Sequence, residues 1–186
     1  PNTLRLIDEA AIKDQLLLLT SLVDVVSSQV PSFSPSRQKL SGVGETFRGR
    51  QPLYLIDGVP QSNPLRNGSR DGFTIDGAVI ERVEVLYGAN AIQGVGATGG
   101  IINYTTIRPA NGGAGEVRVE AGVTADTDFN GDGYGYRGAV TGLKDFGDFD
   151  WVGSVALETR GAFYDGAGRR IGVDGTQGEI QDSQSL

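Results

Sequence analysis

Three segments in the last part of the chain alternate with a strict two-residue period, and each is about twice as long as an ordinary strand. In the first, Val117, Val119, Ala121, Val123 and Ala125 fall on one face, with Glu116, Arg118, Glu120 and Thr124 on the other. In the second, Tyr134, Tyr136, Gly138 and Val140 oppose Arg137, Ala139 and Thr141. In the third, Trp151, Gly153, Val155, Leu157 and Phe163 oppose Ser154, Ala156, Glu158 and Arg160. Alternation of this kind is the mark of a strand with two unlike faces. Globular strands centre on about 5–6 residues, whereas tilted membrane-crossing strands need about 9–11. The periodicity leaves two readings open: a barrel with apolar side chains toward lipid, or an antiparallel sheet with one wet face. Phe149 with Trp151, and Phe163 with Tyr164, stand where an aromatic girdle at a membrane interface would need them.

Glycine supplies 29 of the 186 residues, which favours tight turns and close backbone approach. The formal charge is −7, the wrong sign for a partner of nucleic acid, where a basic face must displace counterions. Cysteine and histidine are both absent. That removes disulfides, thiolate metal sites and the usual catalytic triads; catalysis by carboxylates stays open with less weight, and the expectation carried forward is neither an enzyme nor a resident cofactor or metal. No apolar run is long enough for a transmembrane helix; the best stretch, Leu16 to Val26, is broken by Thr20, Ser21 and Asp24. The chain starts with proline and lacks methionine, so it is expected to be part of a longer product.

The first part has a different texture. Leu4 to Ile7 reads as a short strand, and Asp8 or Glu9 as the start of a helix over residues 10–18. Thr20 or Ser21 can cap a second helix whose stripe is Leu22, Val23, Val25 and Val26, with Pro31 ending it. Residues 31–46 and 60–72 have loop composition. Leu53 to Ile56, closed by Asp57-Gly58, reads as a buried strand leading into a turn. In residues 80–87 the alternation places Ile80, Arg82 and Glu84 opposite Val83, Val85 and Tyr87, and residues 101–106 are again strand-like. Residues 110–115 form a linker by composition. The organisation expected is one domain over 1–109 and a run of strands over 110–186.

Two local motifs are weak. Gly94 to Gly99 fits a dinucleotide-binding glycine pattern, but that pattern needs a helix directly after it, and here a β-branched run follows. Asp126, Asp128 and Asn130 open like a calcium loop, but Arg137 stands where the bidentate glutamate belongs; a solvated hairpin tip is the plainer reading. Charges in or beside the expected strands carry more information. Arg48, Glu81, Arg82 and Glu84 must be paired if they are buried; otherwise they lie on a wet face.

Three stretches together resemble the plug domain of TonB-dependent outer-membrane receptors: Phe47 to Gln61 (FRGRQPLYLIDGVPQ), Ile80 to Ala91 (IERVEVLYGANA) and Gly94 to Thr105 (GVGATGGIINYT). The resemblance covers about residues 4–108 and extends more loosely over 115–186. It implies an α+β plug, a mixed small sheet with short helices, followed by antiparallel transmembrane strands belonging to a barrel of about 22 strands. About three such strands are present, and three cannot close. The resemblance further implies location in the outer membrane, contact with its lipid, and uptake of a ferric siderophore driven by the TonB energy-coupling protein of the inner membrane. The energy-coupling box would lie upstream of Pro1. Cobalamin, haem or an oligosaccharide are alternative cargoes; a soluble nucleotide-binding enzyme and an adhesin domain are the other classes weighed. Arg48 and Arg82, with Glu84, are the implied lock residues, the arginines pairing with barrel glutamates. The loops 33–45 and 60–72 are the expected ligand platform, with Arg37, Gln61, Asn63, Arg66, Asn67 and Arg70 as candidate contacts, since arginines and amides suit anionic chelates.

Overall fold

The computed structural model describes residues 4–17, 19, 21–35, 42–61, 71–88, 97–172 and 184–185. The chain divides into two units, residues 1–37 with 41–107, and residues 38–40 with 108–186.

The first unit is built around a five-stranded sheet. Its strands are β1 (Leu4–Asp8), β2 (Pro52–Ile56), β3 (Val59–Pro60), β4 (Ile80–Tyr87) and β5 (Gly100–Thr106), in the order β1-β4-β5-β2-β3. β2 and β5 run parallel; the other pairs are antiparallel. Two helices cover one side, α1 (Glu9–Leu16) and α2 (Leu22–Gln29). Each begins where the sequence offers a cap. Asp8 accepts from Ala11 N at 2.9 Å and Ser21 Oγ from Asp24 N at 3.1 Å, each satisfying one of the unpaired first-turn amides. α2 stops at Val30, whose extended backbone is the conformation that a following proline requires. The apolar faces of both helices close on Val83, Val85, Ile102, Tyr104 and Tyr54 to make the main core. Beneath the sheet, Leu53, Leu55, Ala97 and Ile101 form a smaller cluster, with Leu86 packed against it.

Two type I′ hairpin turns organise the unit, at Arg48-Gly49 and Asp57-Gly58. Each has φ near +48° at its first central residue and +80° at the glycine, the twist that matches paired strands. β4 departs from simple alternation. The register slips between Ile80 and Arg82, leaving Glu81 as a bulge. Ile80 is therefore buried together with Val83 and Val85, not grouped with Arg82 and Glu84 as alternation alone predicts.

The second unit is an antiparallel sheet, β6 (Glu116–Thr124), β7 (Gly135–Asp145), β8 (Asp150–Thr159) and β9 (Gln184–Ser185), in chain order. The strands of 9, 11 and 10 residues pair in continuous register, with Val119, Val140 and Val155 in one row. The second strand runs past Thr141 to Asp145, and the third stops at Thr159, so Phe163 lies beyond it. Val119 is 72% exposed, Val140 52% and Val155 63%. Trp151 lies flat across Gly142 and Gly153, where an added Cβ would come 2.9 Å and 2.6 Å from its ring. The opposite face carries an ion-paired ladder. Arg137 reaches Glu158 at 3.5 Å and Glu120 at 3.8 Å, Arg160 meets Glu158 at 2.6 Å, and Arg118 meets Glu116 at 2.6 Å. Uncovered valines opposite a satisfied polar face invert the usual arrangement of a water-soluble sheet.

Candidate functional site

The polar groups of the first unit gather at the two ends of its sheet. At one end, a chain of hydrogen bonds runs from the turn between β2 and β3 across β5 to β4. Gly58 N donates to Asn103 Oδ1 at 2.9 Å, and Asn103 Nδ2 donates to Glu84 Oε2 at 2.9 Å. Glu84 Oε1 accepts from Arg82 Nε at 2.9 Å, and Arg82 Nη1 reaches Glu81 at 3.3 Å. Asp57 joins the same end by accepting from the backbone and side chain of Thr106. The amide of Asn103 holds the Glu84 carboxyl below its usual range, and the guanidinium of Arg82 adds to the effect. These charges are half-exposed and paired with one another, so both sequence alternatives hold in part: the face is open to solvent, and its charges are still matched.

At the other end is a cleft of about 720 Å³. Phe47 forms its base, stacked edge-on against Phe33 (5.0 Å) and Tyr87 (5.9 Å). Arg48 and Arg50, both exposed, stand at the cleft with Tyr87, Gly88 and Gly99. Ser32 Oγ is buried there without a hydrogen-bond partner among the described residues. Gly99 and Gly100 make the close fit possible. A Cβ on Gly99 would collide with Arg50 O, and one on Gly100 would come 2.7 Å from Leu86 O. The glycine pattern thus continues into a strand and allows close backbone packing, with no helix following; residues 94–96 lie outside the described residues. Two guanidinium groups beside an apolar base suit a carboxylate, held by charge-assisted hydrogen bonds.

The structure does not bring Arg48 and Arg82 together. Arg82 pairs in register with Asp8 and Thr105, near the end of β5, while Arg48 shares its cleft with Gly88 and Gly99, at the start of β5. Arg82 and Glu84 do meet. Among the candidate ligand contacts, Gln61 is described: its N donates to Tyr54 O at 2.9 Å and its Nε2 to Val59 O at 3.0 Å. Arg37, Asn63, Arg66, Asn67 and Arg70 lie outside the described residues. Arg50 and Tyr87 are the cleft residues that the sequence reading passed over. Both lay inside the quoted plug stretches, but only folding places them beside Arg48.

In the second unit, the acidic loop caps itself. Asp126 accepts from Asn130 N and Nδ2, both at 2.8 Å, and from Asp128 N at 3.2 Å. Asp132 accepts from the Tyr164 hydroxyl, which lowers its carboxyl pKa, and lies 3.5 Å from Arg170. The described residues include no group of three or more acidic side chains placed to hold a metal ion.

Residues 1–101 match the TonB-dependent Receptor Plug Domain family. The Rhizobactin receptor of Rhizobium meliloti (strain 1021) is 36% identical over 185 residues, covering 95% of this chain and 24% of the relative. The Ferric aerobactin receptor of Escherichia coli is 30% identical over 187 residues, covering 100% of this chain and 25% of the relative. The chain therefore spans about a quarter of the length of these relatives. Among solved structures, the siderophore receptor PiuA from Acinetobacter baumannii aligns with a TM-score of 0.56 at 23% identity, over 87% of this chain and 21% of that one. The copper transporter OprC aligns with a TM-score of 0.61 at 16% identity, over 90% and 25%.

Proposed function

This chain belongs to the TonB-dependent receptor plug family, and from that membership we propose that it serves in energy-coupled uptake of a ferric siderophore across the outer membrane. Residues 1–109 act as the plug and 110–186 as the first barrel strands. The observation that carries the reading is the plug match followed by long strands with uncovered valines on one face and paired charges on the other. The short turn 146–149 belongs on the periplasmic side and the longer connection 125–134 outside, the usual asymmetry of such barrels. Relatives named for rhizobactin and aerobactin support a ferric siderophore as cargo. The Hemin receptor of Yersinia enterocolitica, 31% identical over 128 residues, supports haem as the second reading.

The loops 33–45 and 60–72 form the ligand platform, with Arg37, Gln61, Asn63, Arg66, Asn67 and Arg70 as contacts. Arg48, exposed and without an ion pair among the described residues, is the lock arginine available to a barrel glutamate. Arg82 and Glu84 contribute as a pair already satisfied within the plug. The TonB protein supplies the energy from the inner membrane.

The test is uptake of ferric aerobactin, ferric rhizobactin and haem by cells carrying the full-length receptor, with and without TonB. TonB-dependent accumulation of either ferric siderophore is expected. Accumulation of haem alone would overturn the cargo, and unchanged uptake after deletion of residues 60–72 would overturn the platform.

A further inference from the structure

Tyr54 touches the ends of both proposed ligand loops through three different groups. Its hydroxyl donates to Glu45 Oε2 at 2.6 Å, and both residues are buried. Glu45 ends the first loop, whose neck is closed by Ser34 and Thr46: Ser34 N donates to Thr46 O at 2.8 Å, and Thr46 N to Ser34 Oγ at 3.0 Å. The carbonyl of Tyr54 accepts from Gln61 N at 2.9 Å, where the second loop begins. Its ring lies against Gly72, where that loop ends. A Cβ there would stand 2.9 Å from Tyr54 Cε1 and Cζ and 2.8 Å from Val23 Cγ2 of α2. The ring is also fixed from beneath, 6.1 Å from that of Tyr104. Tyr104 is fully enclosed, and burial together with the charge of Glu45 pushes its phenol upward, so it stays neutral.

We propose that Tyr54 is a positioning residue that holds the two ligand loops in one frame, so that displacement at the end of either loop is felt at the other. This rests on the reading of residues 33–45 and 60–72 as the ligand platform. The physical reason is that each anchor is one a buried site gives up reluctantly. Loss of the Tyr54 hydroxyl takes one donor away from the buried carboxylate of Glu45, and weakening the hydrogen bonding of a buried charge is costly. The contact at Gly72 has no slack, because glycine already gives the closest approach available and the interior around it is close-packed. A ring that moves for one loop must therefore move for the other.

The test is hydrogen–deuterium exchange on the full-length receptor, first without ligand. Tyr54→Phe keeps the ring and removes the hydroxyl. Exchange at residues 42–46 is expected to rise by about tenfold or more, with a smaller rise at 61 and 71–75 and none in β6 to β8. Gly72→Ala places its methyl nearest to the Tyr54 ring and to Val23, yet it should also raise exchange at 42–46. A rise confined to 71–75 in Gly72→Ala, or to 42–46 in Tyr54→Phe, overturns the coupling. Ferric aerobactin is then added. Protection of both segments in the parent, reduced to one in Tyr54→Phe, supports the proposal. A ligand-free coupling with no effect on the parent of ferric aerobactin, nor of ferric rhizobactin or haem added in its place, overturns the platform reading and leaves the role of Tyr54 standing.

Discussion

Placing arginine at Val140 separates a lipid-facing sheet from a water-facing one. Val140 is the sixth residue of the 11 in β7, with Val119 and Val155 beside it. Five residues of strand lie on either side. At about 3.4 Å per residue and a tilt near 40°, these reach about 13 Å along the membrane normal, half of an apolar band about 25 Å tall. On the proposed barrel reading Val140 stands at the midplane, where arginine on the lipid face costs about 2–4 kcal/mol, equivalent to a shift of about 30- to 900-fold in the folding equilibrium. If the same face met water, Val140→Arg would be an ordinary surface change worth less than about 0.5 kcal/mol. Asp148→Arg, in the exposed turn 146–149, is the control, with almost no cost in either case. The assay is denaturant unfolding of the full-length receptor in lipid vesicles, comparing the two variants with the parent. Equal stabilities for Val140→Arg and Asp148→Arg would refute the assignment of this face to lipid.

Other outcomes follow from the plug. Glu84→Gln should weaken the bonds to Arg82 and Asn103 near neutral pH. The Glu84 carboxyl is depressed in the folded state, so its contribution is present above the ordinary carboxylate range and lost as pH falls through the depressed value. The stability gap between parent and variant, read from urea midpoints across acid pH, should therefore narrow in that range; a gap that widens on acidification would contradict the assignment. Gly99→Ala should cost about 1–3 kcal/mol, because its Cβ would overlap the Arg50 carbonyl; a shift in thermal midpoint no larger than that of Gly131→Ala, which has open space around it, would show that the backbones can part.

The features legible in the sequence were those in which cause and effect are neighbours along the chain. The pairs Asp8 or Glu9 and Thr20 or Ser21 announced the helix starts to within a residue, because a capping side chain reaches only two or three residues ahead; the fold selects Asp8 and Ser21. Asp57-Gly58 announced its turn because positive φ at both positions suits few other pairs. The long alternating strands needed nothing beyond their own period. The bulge at Glu81 was hidden, because Ile80 and Val83 share a side only when Thr105 and Thr106 fix the register. The separation of Arg48 from Arg82 was hidden as well, since it depends on which end of β5 each one meets. The Tyr54 contacts with Glu45 and Gly72 join positions 9 and 18 residues away, and no local pattern encodes them. The quoted plug stretches contained Arg50 and Tyr87 but gave no reason to single them out before the cleft brought them beside Arg48.

The pairing scheme of the first sheet also sets an order of assembly. Leu4 finds its partner only at Leu86, and Pro52 only at Gly100, so the central strands β4 and β5 must exist before either flank can settle. In a polypeptide emerging from its N-terminus, the opening strand and both helices wait for most of the unit to be made. The later strands each pair with the next one along and face no such delay. Joining such distant stretches is slow, and the first unit should therefore reach its final form after neighbouring hairpins have already zipped up.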